Sequence, residues 1–284
     1  MRLKVIILSL DGSPVKTEEV WIQCGGVKLY GELRVPDLCP APGILICHFM
    51  DVHGYHGLKI YSMLAETACK SGFVSFVFDF RGVGKSSGKF DYGFGEQQDV
   101  KCALDYLASR SEVKPSNIFV VGHSLGAAVS LYAVQDDKRI KGLVLWSPPE
   151  NHDYNVKKFI GRTRGKFGLY SFLLLSRVDR YLNVSKLFKL EVFGINLRPR
   201  YVREKLMKLN ECEMVSKLKN VPVLIVIGNS DVIHGEDEAR EVFSSAHEPK
   251  TLLVIESAGP TYEEKEKQLI SNTMQWIEKL SRIS

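Results

Sequence analysis

The feature that most restricts how this chain can fold is a rhythm. Six apolar runs, "GILICH" (43–48), "FVSFVFDF" (73–80), "NIFVVGH" (117–123), "IKGLVLWS" (140–147), "VPVLIVIG" (221–228) and "TLLVIES" (251–257), alternate with helix-period segments near 58–71, 96–110, 125–136, 236–246 and 262–281. Runs that are apolar throughout, rather than at every second position, fit strands covered on both faces. Such strands, separated by helices, need crossover connections and predict an α/β fold: a mainly parallel sheet with helices on both sides. Ahead of the rhythm, "EEVWIQC" and "VKLYGELRV" flank Gly25-Gly26 and read as an antiparallel hairpin.

The rhythm breaks once. Between Pro148 and Lys219 no comparable strand run occurs, and "KFGLYSFLLLSRVDRYL" and "RPRYVREKLMKL" look like amphipathic helices. The expectation is a core made of residues 1–147 and 220–284. A helical cap, residues 148–219, is inserted after the sixth strand. It would lie over the C-terminal edge of the sheet, where open α/β sheets bind ligands. Residues 151–220 carry 16 Lys+Arg against 6 Asp+Glu, in a chain of net charge +5. That excess reads as solvated helix faces. It permits an anionic substrate without requiring one.

Other classes find little support. The chain is 45% hydrophobic and 25% charged over 284 residues, the composition of a globular protein with one large core. Its six cysteines show no CxxC or Cys/His pairing, so they read as reduced thiols of a cytoplasmic protein, with no metal and no cofactor. The apolar run Val5–Leu10 is too short for a signal peptide and reads as mature sequence. No stretch reaches the roughly 18 apolar residues that span a bilayer. "GVGKSSG" imitates a phosphate loop, but that spacing needs glycine at 79, where Asp79 stands. No nucleic-acid partner is expected, and oligomeric state is not legible.

The strongest chemical signal is "VVGHSLGAA". Gly122-His123-Ser124-Leu125-Gly126 fits Gly-x-Ser-x-Gly directly after a strand and directly before a helix, the context of a nucleophile elbow. The serine sits on a sharp turn whose flanking positions must be small. The backbone N–H of Leu125, at the helix N-terminus, would point at a developing oxyanion.

With "GGVKLYGELRVP", "FDFRGVGKSSGKF" and "VLIVIGNSDVIH", the elbow makes the chain resemble the α/β-hydrolase superfamily. It is most similar to the capped serine hydrolases that include cinnamoyl and feruloyl esterases and the monoglyceride-lipase and proline-iminopeptidase groups. The resemblance implies a Ser–Asp–His triad in that chain order. Ser124 is the nucleophile and Asp231, after the strand 221–227, is the acid. The oxyanion hole comes from Leu125 and the loop after "ILICH", through Phe49 or Met50.

The expected histidine is missing. After the last strand "ESAGPTY" puts Pro260 at its place, and no histidine follows His247. Proline has no titratable nitrogen and cannot take the serine proton. Removing the base costs about 2 × 10⁶ in turnover in a subtilase, and about 10³–10⁴ over water survives without the triad. Ser124 and Asp231 alone therefore do not make an efficient enzyme. His234, three residues after Asp231, and His152, at the start of the cap, are the best substitutes. The His-Gly pair expected in the oxyanion loop is also replaced, by His48-Phe49-Met50. Two readings follow. One is a carboxylic-ester hydrolase with an acyl-Ser124 intermediate and an incomplete or rearranged triad. The other is a catalytically silent relative that binds a small molecule or a partner in the capped pocket.

Overall fold

The computed structural model describes residues 4–8, 14–182 and 190–283. Two of its nine core strands, β2 (Pro14–Cys24) and β3 (Val27–Val35), form the expected hairpin, turning at Gly25 with φ +58°. A further strand, β1 (Lys4–Leu8), pairs antiparallel with β2 and uses part of the apolar N-terminal run; residues 9 and 10 of that run lie outside the described residues.

The repeating unit then takes over: β4 (Ala41–Cys47), α1 (Lys59–Lys70), β5 (Val74–Phe78), α2 (Gly95–Ala108), β6 (Val113–His123), α3 (Leu125–Ala133) and β7 (Ile140–Trp146). After an insertion the core resumes with β10 (Val223–Gly228), α7 (Glu236–Ser245), β11 (Lys250–Ile255) and α8 (Glu266–Ser281). The sheet order is β1-β2-β3-β5-β4-β6-β7-β10-β11, and β5 through β11 in that order run parallel.

The all-apolar strands have the reason the pattern suggests. Along β7, Leu143 and Leu145 enter the core shared with α2 and α3, while Val144 and Trp146 enter the core shared with α1 and α8. β10 divides likewise, Ile225 and Ile227 to one side and Leu224 and Val226 to the other. Successive side chains point to opposite faces, so a strand covered on both must be apolar at every position. β5 and β6 flank β4 on opposite sides, although β4 precedes both in the chain. That reversal opens a crevice at the C-terminal ends of β4 and β6.

Two expectations need correction. The insertion follows the seventh strand rather than the sixth, because β1 adds one. It is also not wholly helical: α4 (His152–Leu182) is followed by an antiparallel pair β8 (Leu190–Val192) and β9 (Ile195–Leu197), then α5 (Pro199–Glu204) and α6 (Glu211–Lys217). β8 and β9 are three residues each, too short for a periodicity to show. Lys186 and Lys189 of the basic stretch lie outside the described residues.

The second correction concerns the cysteines. Cys24, at the end of β2, and Cys102, in α2, form a disulfide across 78 residues of sequence, while Cys39, Cys47, Cys69 and Cys212 are free. Separation in sequence concealed a pair that packing of α2 against β2 brings together. Thiol titration of the unfolded, unreduced protein is therefore expected to find four groups, rising to six after reduction. Reduction should lower unfolding stability by about 2–5 kcal/mol, measured by denaturant titration.

Candidate active site

Ser124 occupies the turn between β6 and α3 at φ +52° and ψ −113°, a conformation costly for a residue with a side chain. Its N–H donates to the Trp146 carbonyl, and its own carbonyl accepts from Ala128 N–H, so one residue ends the strand pairing and starts the helix. The flanking glycines are forced by backbone. A Cβ on Gly122 would stand 2.5 Å from the Gly126 carbonyl oxygen, and one on Gly126 would stand 2.3 Å from the Cys47 oxygen.

The expected base sites resolve differently. Ser124 Oγ lies 3.3 Å from His234 Nε2, within hydrogen-bond reach. His234 Nδ1 faces Glu238 Oε2 at 3.4 Å, four residues on and in the first turn of α7. Distances slightly beyond the usual range are common in unliganded sites. Burial alone would raise the Glu238 carboxyl, but the hydrogen bonds from His234 and Lys158 prevail and hold it down to about 2. It is thus an anion beside the imidazole.

Asp231 follows β10, where the resemblance expects an acid, and its hydrogen bonds go to backbone. Its Oδ1 accepts the backbone N–H groups of Ile233 and His234, both at 2.9 Å, while buried Oδ2 has no hydrogen-bond partner among the described residues. Asp231 shapes the loop that carries His234 rather than contacting its ring. His152 also lines the cavity that holds Ser124, with its Nδ1 2.9 Å from Oε1 of buried Glu211. Phe49, expected as an oxyanion donor, has its N–H committed to the Tyr61 hydroxyl at 3.0 Å. Leu125 is the first residue of α3, so its N–H has no partner within the helix. Met50 lines the same cavity.

Pro260 also lines that cavity, and its carbonyl accepts from His123 Nε2 at 2.9 Å. The other ring nitrogen, His123 Nδ1, accepts from Tyr61 Oη at 2.7 Å. A continuous chain, Phe49 N–H to Tyr61 to His123 to the Pro260 carbonyl, thereby ties the β4 loop, the elbow and the β11 loop together. It also fixes the tautomer of His123. Tyr262 secures the last loop further, donating to the Val226 carbonyl and bonding Ser147.

The cavity holds about 330 Å³. Phe49, Met50 and Ile233 of the core and Val156, Phe193 and Leu206 of the insertion make its walls mostly apolar, with Ser124 and His234 exposed to it. Among the described residues no group of three or more His, Cys, Asp or Glu is placed to hold a metal ion, and no helix is long and apolar enough to cross a membrane.

A family model for the serine aminopeptidases S33 matches residues 48–259, about three quarters of the chain. The chain belongs to the serine aminopeptidase S33 family of α/β-hydrolases. This S33 member shares its fold with PA2218 of Pseudomonas aeruginosa (18% identity, TM-score 0.77, covering 97% of this chain and 96% of that one). Est1E of Butyrivibrio proteoclasticus, solved with ferulic acid, is similar too (21% identity, TM-score 0.70, 92% and 98%). By sequence it is 38% identical to RP471 of Rickettsia prowazekii over 118 residues, 40% of this chain and 49% of that protein, so the match spans about half of RP471. YfhR of Salmonella typhi is 23% identical over 245 residues, 86% of this chain and 74% of that protein.

Glu238 and Tyr61 escaped the sequence reading. Glu238 stands in "EDE" after His234-Gly235, and acidic residues in a first helical turn are expected for the helix dipole alone. The i,i+4 spacing from His234 was the available signal.

Burial pushes His48 down to about 4 and His123 down to about 3 from an ordinary value of 6.5. Unfolding lets both rings take protons that the folded state refuses. Stability is therefore full above about pH 6.5 and falls as pH drops from there towards about 4, by about 1.4 kcal/mol per pH unit for each ring. Denaturant unfolding at several pH values should show this slope, and His123→Gln should remove one ring's share.

Proposed function

We propose that this protein is a carboxylic-ester hydrolase whose catalytic base has moved from the loop after β11 to the loop after β10. Ser124 attacks the ester carbonyl, His234 takes its proton and later delivers it to the leaving alcohol, and Glu238 holds Nδ1–H and stabilises the imidazolium. Water then releases the acid from acyl-Ser124 by the same steps in reverse roles. The observation that carries this is the Ser124 Oγ to His234 Nε2 contact of 3.3 Å with a buried anion on the far nitrogen. The N–H of Leu125, and beside it that of Met50, would receive the oxyanion. The insertion acts as a cap, and the apolar cavity suits a medium-sized, largely apolar ester. Asp231 keeps a supporting role, fixing the His234 backbone.

One observation favours the silent-binder reading: the Phe49 N–H is already occupied by Tyr61, leaving the oxyanion side with fewer donors. Removing one such donor typically costs about 10²–10³ in turnover, which slows an enzyme without silencing it.

Hydrolysis of p-nitrophenyl butyrate separates the readings. Ser124→Ala and His234→Ala are each expected to lower kcat by about 10⁴–10⁶. Glu238→Gln should lower it by about 10²–10⁴, and Asp231→Asn by less than Glu238→Gln. Turnover that survives His234→Ala sinks the relocated base. Absence of turnover in the parent chain, with ester binding undisturbed by Ser124→Ala, establishes the binder.

A further inference from the structure

The Ser124, His234 and Glu238 arrangement has a neighbour that comes from the insertion. Lys158, in the second turn of α4, places Nζ 2.5 Å from Glu238 Oε1, while Oε2 of the same carboxylate faces His234 Nδ1 at 3.4 Å. The two side chains are 19% and 3% exposed. One shielded carboxylate is thus shared between a permanent cation and the imidazole.

We propose that Lys158 is a positioning residue that tunes His234 as a base, so that the seating of α4 over the sheet is felt at the catalytic serine. This rests on the reading of His234 as the base. A buried carboxylate alone beside an imidazole favours the imidazolium, and an imidazolium cannot accept the proton of Ser124. Lys158 opposes that in two ways of the same sign: it repels a charged ring and it takes a share of the carboxylate's field. Among the described residues, further charged and titratable groups around the pair include Asp231 on the His234 loop, His123 on the elbow, Glu150 after β7 with Glu241 of α7, and Tyr154 of α4, whose ring centroid lies 5.4 Å from Lys158 Nζ. The two glutamates add negative charge, so among the described residues Lys158 supplies the balancing positive charge recorded against Glu238. Glu238 is closed off from water, and without Lys158 its carboxylate is left with the His234 ring beside it.

The test reads the ring directly. With ¹³C-histidine-labelled protein, the resonance of His234, assigned from its loss in His234→Gln, is followed against pH in the parent and in Lys158→Met. The midpoint is expected to move up by about one pH unit in Lys158→Met, and the acid limb of kcat/KM for p-nitrophenyl butyrate should move with it. A midpoint that stays or moves down overturns the proposal. Should Lys158→Met fail to fold, Lys158→Gln carries the same comparison. His234→Gln keeps the two ideas apart. If it turns over like the parent, the base assignment has failed. If it is inert while neither the Lys158→Met resonance nor its acid limb moves, the role of Lys158 alone has failed.

Discussion

The approach of the β6–α3 turn to the end of β4 is the constraint on which the site depends. The Gly126 backbone passes so close to the carbonyls of Cys47 and His48 that even a methyl group would collide with them. That closeness permits Ser124 its unfavourable dihedrals and leaves its hydroxyl at the mouth of the crevice where the strand order reverses. Around it, the Phe49–Tyr61–His123–Pro260 hydrogen-bond chain locks three separate loops to the same turn. A small change in the turn would therefore move the oxyanion side and the Pro260 side together.

Within this frame Pro260, standing where the resemblance expects a histidine, offers its carbonyl as a structural acceptor. Asp231 Oδ2, on the acid side of the site, is buried without a partner among the described residues. The imidazole that meets Ser124 instead rises from the loop after β10. Its orientation depends on two acidic residues with different tasks: Asp231 folds the loop through backbone amides and Glu238 faces the ring. On the proposed function, such a division would let the base change position while Ser124, under the tightest steric control, stays fixed.

The insertion meets this arrangement in two ways. Val156 and Ile160 of α4 line the cavity, while Lys158 reaches across to Glu238. The same helix contributes walls to the cavity and a charge to Glu238 beside His234, and α4 joins the cavity to the electrostatics beneath it.

Much of this was legible in the residues. The all-apolar runs declared the parallel sheet, since a strand covered on both faces leaves no room for polar alternation, and Gly-x-Ser-x-Gly after a strand declared the turn that carries Ser124. Pro260 stands where the resemblance expects the base, and His234 was one of two substitutes that sequence position allowed. Only the tertiary structure brings one of the two, His234, within 3.3 Å of a hydroxyl 110 residues away. Glu238, Lys158, Tyr61 and the Cys24–Cys102 pair were hidden for the same reason. Local pattern fixes what a residue does for its own helix or strand. Partners distant in sequence meet only through the packing of layers, and packing is a property of the whole chain.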